Sequence, residues 1–140
     1  MTDANFEKVT RSDKSLYGPR KLLLCGFPSA AQSKFDTVLE FSGLSSVPKV
    51  WVSEDQAEVV LSELLELGDG AGAGVSSSLP RAIIVAGIAE KEMIGLMTTC
   101  KKAGMTQALW ATLTPTSENW TIRQLLTELA AEREAMQRKK

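Results

Sequence analysis

The chain has no histidine. That removes the usual general base at neutral pH, the histidine-based nucleophile triads and the commonest zinc ligand. Cysteine is scarce: Cys25 lies in an apolar run and Cys100 in a helical pattern, with no Cys-x-x-Cys spacing. Two such thiols read as core residues rather than a redox pair. The longest apolar runs are about six residues, far short of the roughly 20 that cross a bilayer. The formal net charge is −1 over 140 residues, so bulk electrostatics favours neither nucleic acid nor an anionic membrane. The polar stretch 1–17 lacks the apolar centre of a secretory signal. An intracellular soluble protein is expected, in the cytoplasm, or in an organelle stroma if a targeting peptide has been removed.

What is present is a repeat. Pro19-Arg20-Lys21-Leu22-Leu23-Leu24-Cys25-Gly26-Phe27 returns 61 residues later as Pro80-Arg81-Ala82-Ile83-Ile84-Val85-Ala86-Gly87-Ile88. Gly43-Leu44 returns as Gly104-Met105, and Leu61, Leu64 and Leu65 as Ile122, Leu125 and Leu126, at the same offset. Trp51 returns as Trp110 at 59, which implies a short compensating insertion and deletion. Such self-similarity sets the architecture before any local pattern is weighed.

Each copy reads β-α-β-α. The runs 21–27 and 81–88 are continuously apolar, as in strands buried on both faces, and Val50-Trp51-Val52 and Leu109 to Leu113 are second strands. Capping boxes are expected at Ser29–Gln32, Ser53–Gln56 and Thr121–Gln124. The second box opens a helix with Val60, Leu61, Leu64 and Leu65 inward; the helix after strand three turns Met93, Ile94, Met97 and Cys100 inward. Gly43 and Gly104 stop the first helix of each copy. The domain expected is 19–140, made of repeats 19–67 and 80–138, preceded by a loose arm 1–18 and joined by a flexible Gly/Ser tether 68–79. The tether's alternating glycines lack the strand, the Gly-Lys-Ser/Thr ending and the helix of a phosphate-binding loop. Packing strands one and three side by side gives an α/β fold with a four-stranded, mainly parallel sheet of order 2-1-3-4 and helices on both faces.

A doubly wound sheet places ligands beyond the carboxyl ends of its strands, where the winding reverses. The candidate ligand crevice is therefore Gly26, Phe27 and Ser29 facing Gly87, Ile88 and Glu90. Candidate partner-binding residues are Ser53 and Glu54, with Thr114, Thr116, Ser117 and Glu118 in the long polar loop before the last helix; such loops often carry recognition. Glu54, Asp55, Glu90 and Glu118 read as acids stabilising helix starts rather than a metal rim. Trp51 and Trp110 read as equivalent core positions. No cofactor, metal or catalytic residue is expected. The second copy, through Ala86-Gly87-Ile88, Gly104, Asn119-Trp120-Thr121 and Leu125-Leu126-Thr127-Glu128-Leu129, resembles a small domain family of unknown function found in bacteria and photosynthetic eukaryotes, over residues 81–135. That resemblance implies no activity. The reading is a non-enzymatic interaction, assembly or regulatory module that binds another protein or a multi-subunit complex. The alternatives are a small-ligand or nucleotide sensor using the crevice and, ranked lower, a thiol enzyme using Cys25.

Overall fold

The computed structural model describes residues 14–138, so most of the expected arm lies outside the described residues. The first unit comprises β1 (Lys21–Cys25), α1 (Ser29–Phe41), β2 (Lys49–Val52) and the one-turn α2 (Leu61–Leu64). The second comprises β3 (Ala82–Ala86), α3 (Glu90–Lys102), β4 (Leu109–Thr112) and α4 (Ile122–Arg138). The sheet order is β2-β1-β3-β4. Helices cover both faces. Phe35, Val38 and Leu39 of α1 share one buried layer with Leu96 and Cys100 of α3. Leu61 and Leu64 of α2 share the other with Ile122, Leu125 and Leu126 of α4. Alternate residues of β1 feed the two layers, Leu22 and Leu24 the first, Leu23 and Cys25 the second. Each fully buried leucine or isoleucine contributes roughly 1.5–3 kcal/mol.

The outer pairings, β1–β2 and β3–β4, are parallel, but the central pair β1–β3 is antiparallel. The sheet is mixed, and the reason lies in the repeat. Leu23 pairs with Ile84, its own counterpart in the second copy, and Lys21 and Cys25 pair with Ala86 and Ala82. A residue that faces its own counterpart lies on a twofold axis. With that axis perpendicular to the sheet, strand direction must reverse across it. A second self-pairing, Val60 with Thr121, marks the same axis on the α2/α4 face. The bonds around it are reciprocal: Leu61 N–H donates to the Trp120 carbonyl at 3.0 Å, and Ile122 N–H to the Val59 carbonyl at 3.1 Å. This pairing holds Val60 in extended backbone, so the expected second helix shrinks to a 3₁₀ turn at Glu54–Gln56 and the single turn of α2.

Strand register also corrects the tryptophan alignment. Leu24 faces Trp51, whereas its counterpart Val85 faces Thr112, and Trp110 faces Ile83 as Lys49 faces Leu22. Trp51 thus corresponds to Thr112 and Trp110 to Lys49. No insertion separates the copies through the second strands. The capping boxes at Ser53 and Thr121 form, with Ser53 N–H donating to Gln56 Oε1 at 3.0 Å and Gln124 N–H to Thr121 Oγ1 at 3.1 Å. The box at Ser29 does not: Pro28 caps α1, and Gln32 is buried and turned toward residues 74 and 75.

The two repeated glycines pack against the two repeated Pro-Arg pairs, each across the axis. A methyl group on Gly26 would lie 2.4–2.7 Å from backbone atoms of Leu79, Pro80 and Arg81; one on Gly87 would lie 2.5–2.6 Å from those of Gly18, Pro19 and Arg20. Both glycines have positive φ. Gly43 and Gly104 also have positive φ but open space around them. Gly43→Ala and Gly104→Ala are expected to cost only the left-handed penalty, about 1–2 kcal/mol. Gly26→Ala and Gly87→Ala add a backbone collision, for a total of about 2–5 kcal/mol. Urea unfolding of the four variants checks that order, and equal losses would contradict the close crossing.

Candidate functional site

Because β1 and β3 run in opposite directions, Gly26 and Gly87 lie at opposite ends of the sheet. The expected crevice between them does not form. Each end of the sheet instead collects part of each predicted set. One rim holds Gly26, Phe27 and Ser29 with Ser53 and Glu54; the other holds Gly87, Ile88 and Glu90 with Thr114, Thr116, Ser117 and Glu118. The sequence repeat leaves open how the two copies meet, and the twofold contact between Leu23 and Ile84 is what reverses β3.

Each rim is closed by the segment leading into the other copy's first strand. At the first rim, Ser29 N–H donates to Ser76 Oγ at 2.8 Å, Ser78 Oγ donates to Glu54, and Arg81 Nε donates to the Gly26 carbonyl at 3.0 Å. Arg81 also lies 4.4 Å from the Phe27 ring centroid, a cation–π contact. Phe27 is fully buried, within 5.0 Å of Phe35 and 5.5 Å of Trp51 between ring centroids. At the second rim, Gly87 N–H donates to the Tyr17 carbonyl and Glu90 N–H to the Lys14 carbonyl, each at 3.1 Å. Tyr17, the counterpart of Ser78, donates from its Oη to Glu118 at 2.8 Å. Ile88 is fully buried. Thr114 and Ser117 satisfy one another: Thr114 N–H donates to Ser117 Oγ at 3.0 Å and Ser117 N–H to Thr114 Oγ1 at 2.9 Å. Thr116 is exposed. Phe27 and Ile88 therefore fill the strand ends where a ligand was expected, and Ser29, Glu54, Glu90 and Glu118 are engaged in closing the rims.

The electrostatics point the same way. Arg20 grips Glu92 with two bonds of 2.8 Å, and Glu92 also accepts the Ala89 N–H at 2.8 Å, capping α3. Chiefly through the Arg20 bonds, the Glu92 carboxyl is held down at about 2. The Glu54 carboxyl is lowered first by its bond from Ser78. Burial alone pushes the Cys25 thiol up to about 12 and the Cys100 thiol up to about 11. A thiol held that high is protonated at neutral pH and unsuited to nucleophilic attack. Among the described residues, no group of three or more carboxylates or thiols is placed to hold a metal ion, and no helix is long and apolar enough to cross a membrane.

The sequence reading missed the outer edges of the sheet. Residues 68–79, expected as a free tether, form a strap along β2. Lys49 N–H donates to Asp69 Oδ1 at 3.0 Å, Gly70 N–H to the Lys49 carbonyl at 2.8 Å, and Trp51 N–H to the Ala71 carbonyl at 2.8 Å. Gln32 holds the strap further on, donating to the Val75 carbonyl at 3.0 Å and accepting the Gly74 N–H at 2.7 Å. On the opposite edge, Leu109 and Leu113 turn their N–H groups inward to the carbonyls of Arg81 and Val85, each at 2.9 Å. Trp110 and Thr112, the counterparts of Lys49 and Trp51, thus point theirs outward, and no described residue pairs with them. Beside this bare edge a groove of about 560 Å³ runs along α3, lined by Ile94, Met97, Lys101, Met105, Trp110 and Arg133. Ile94 and Met97, expected in the core, are each 38% exposed and form its apolar wall. A second groove, of about 800 Å³, lies under the later turns of α4 beside Leu79, Pro80 and Leu109.

The geometry defines an internally duplicated, twofold α/β/α domain with closed strand ends and one sheet edge, that of β4, with which no described residue pairs. Residues 81–136, from β3 into the last turns of α4, match a family model described as "Domain of unknown function (DUF3783)". Among curated proteins and among solved structures, nothing matches the chain significantly.

Glu92→Gln keeps an acceptor for the α3 cap while removing the charge paired with Arg20. A carboxyl depressed in the folded state stabilises above its unfolded pKa and loses that contribution as pH falls toward the folded value. The native protein is therefore expected to lose this share of stability between about pH 4.5 and pH 2, and the variant to lack that portion of the slope. With Arg20 half exposed, the loss at pH 7 is put at about 1 kcal/mol or less. Thermal melts of both proteins across that range measure it. Neither cysteine should react with an alkylating reagent in the native state, and both should react in denaturant. Rapid labelling of Cys25 in the folded protein would reopen thiol chemistry.

Proposed function

We propose that the chain is a non-enzymatic interaction module that docks another protein on its β4 side. The observation that carries this reading is the contrast between the two sheet edges. The β2 edge is capped by the strap, whereas the matching groups on β4 have no partner among the described residues and adjoin a partly apolar groove. Unpaired edge groups are templates for another chain, and soluble proteins usually cover or blunt them. The filled strand ends and the protonated buried thiols favour binding over chemistry. The partner surface proposed here differs from the Ser53/Glu54 and Thr114–Glu118 loops, which lie at opposite ends of the sheet.

A photo-crosslinking amino acid placed at Thr98, on the groove side, tests this in the full chain. It should capture one dominant protein from extract of the native cells, and the purified captured protein should then bind the purified chain. The same group placed at Ser45, beyond α1, should not capture it. Equal capture from both positions, or a captured protein that fails to bind when purified, would count against the module.

A further inference from the structure

The strap on β2 is an internal template for what β4 can accept. Ala71 pairs with Val50 in the parallel direction, and Val50 corresponds to Ala111 of β4. Transferred across the twofold axis, the strap's three contacts become three open positions. The Trp110 N–H takes the place of the donor that meets the Asp69 carboxylate. The Trp110 carbonyl takes the place of the acceptor for the Gly70 N–H, and the Thr112 N–H that of the donor to the Ala71 carbonyl. The strap alternates as a strand does: Ala71 packs on the α2/α4 layer, so Gly70 and Gly72 belong to the α1/α3 side. At β4, the positions matching Gly70 and Gly72 would face the groove formed by Ile94, Met97 and Trp110. The end of that groove beside the start of β4 carries Lys101 and Arg133, and its lining contains no acidic residue. Arg133 is anchored there, donating to the carbonyls of Gln107 at 3.1 Å and Ala108 at 2.9 Å.

Resting on the interaction reading above, we propose that β4 binds an extended segment of a partner protein as a fifth strand, parallel to β4. The segment has the order acidic, apolar, small, apolar. The acid takes the place of Asp69, accepts the Trp110 N–H and lies near Lys101 and Arg133. The next residue enters the groove, and the small residue sits opposite Ala111. Added strands draw affinity from main-chain bonds and specificity from alternate side-chain pockets. Here the basic end of the groove sets direction, because an antiparallel segment of the same sequence would carry its acid to the far end.

The test uses the full isotope-labelled chain and the peptide Gly-Asp-Leu-Ala-Val-Ser-Gly, with Gly-Lys-Leu-Ala-Val-Ser-Gly as control. Saturating acidic peptide should slow amide exchange of Trp110 and Thr112 by at least about tenfold, leave the β2 amides unchanged, and bind at least about fivefold more tightly than the lysine peptide. Lys101→Glu, at an exposed helix position, should erase that preference. Thr112→Pro removes one outward N–H without breaking a sheet bond and should abolish protection at Trp110; proline is tolerated at such edge positions. A spin label on the peptide's first residue should broaden signals near Lys101, and broadening near Thr114 instead would overturn the parallel direction. Equal binding of both peptides would overturn the acidic specificity. Slow exchange of Trp110 and Thr112 in the free chain would also overturn the proposal, because the edge would already be filled by the chain itself or a second copy. If the peptide fails while crosslinking from Thr98 persists, the module stands and the strand-addition mode falls.

Discussion

The antiparallel contact between β1 and β3 is the constraint on which the rest of the molecule depends. Once Leu23 faces Ile84, every later element of one copy is placed by its counterpart in the other. The contact is isologous, as in a twofold dimer, so the strand pairing and the bonds around Val60 and Thr121 occur twice. The segment entering each central strand must pass over the end of the other, and no side chain fits beneath it. That is why the Pro-Arg pairs and the glycines recur together. The shared spelling records one interface seen from both sides. The same crossing closes both strand ends, and the space a doubly wound sheet would leave for a ligand is taken by backbone, Phe27 and Ile88.

With the frame shared, the differences between the copies become informative. In the α1/α3 layer the first copy presents Phe27, Phe35 and Trp51 where the second presents Ile88, Leu96 and Thr112. The aromatic cluster thus sits on one side of the axis, with centroid separations of 5.0–6.2 Å. On the other face the disparity is of length: α2 is a single turn, while α4 runs from Ile122 to Arg138. These differences leave the central pairing intact. They lie in the outer elements, where the copies can diverge without disturbing the shared core.

Much of this was legible from residue order. The repeat, the unalternating apolar strands and the stop glycines identify the elements and the sheet order, because each depends on local chemistry or self-similarity. The reversal of β3 depends on how two copies meet, and apolar runs of this kind suit either direction. The crevice expectation failed for that single reason. The tryptophan alignment failed because matching identical residues overrode register. Ile94 and Met97 fit the apolar face by spacing, yet no described residue covers the outer flank of α3 beside an edge strand. Gly70 to Gly74 read as slack because glycine carries no side-chain signal. The bonds that fix Asp69 to Ala71 on β2 are largely main-chain, and composition does not reveal them.

The strap also bears on why, among the described residues, nothing covers the other edge. It exists because the chain must travel from α2 to β3, and that route carries it along β2. The covering of β2 is therefore a consequence of connectivity between the copies. No such route passes β4, since the chain leaves it for α4 on the other face of the sheet. An edge left open by topology would ordinarily be blunted by proline, by an inward charge or by shortness. β4 is short, but it has none of the other protections: it presents Trp110 and Thr112 outward, flanked by exposed apolar side chains of α3. The duplication thus produces two chemically related edges and satisfies one of them internally. The other retains the same main-chain pattern with a tryptophan in place of Lys49, so an aromatic ring stands where the first copy carries a charge.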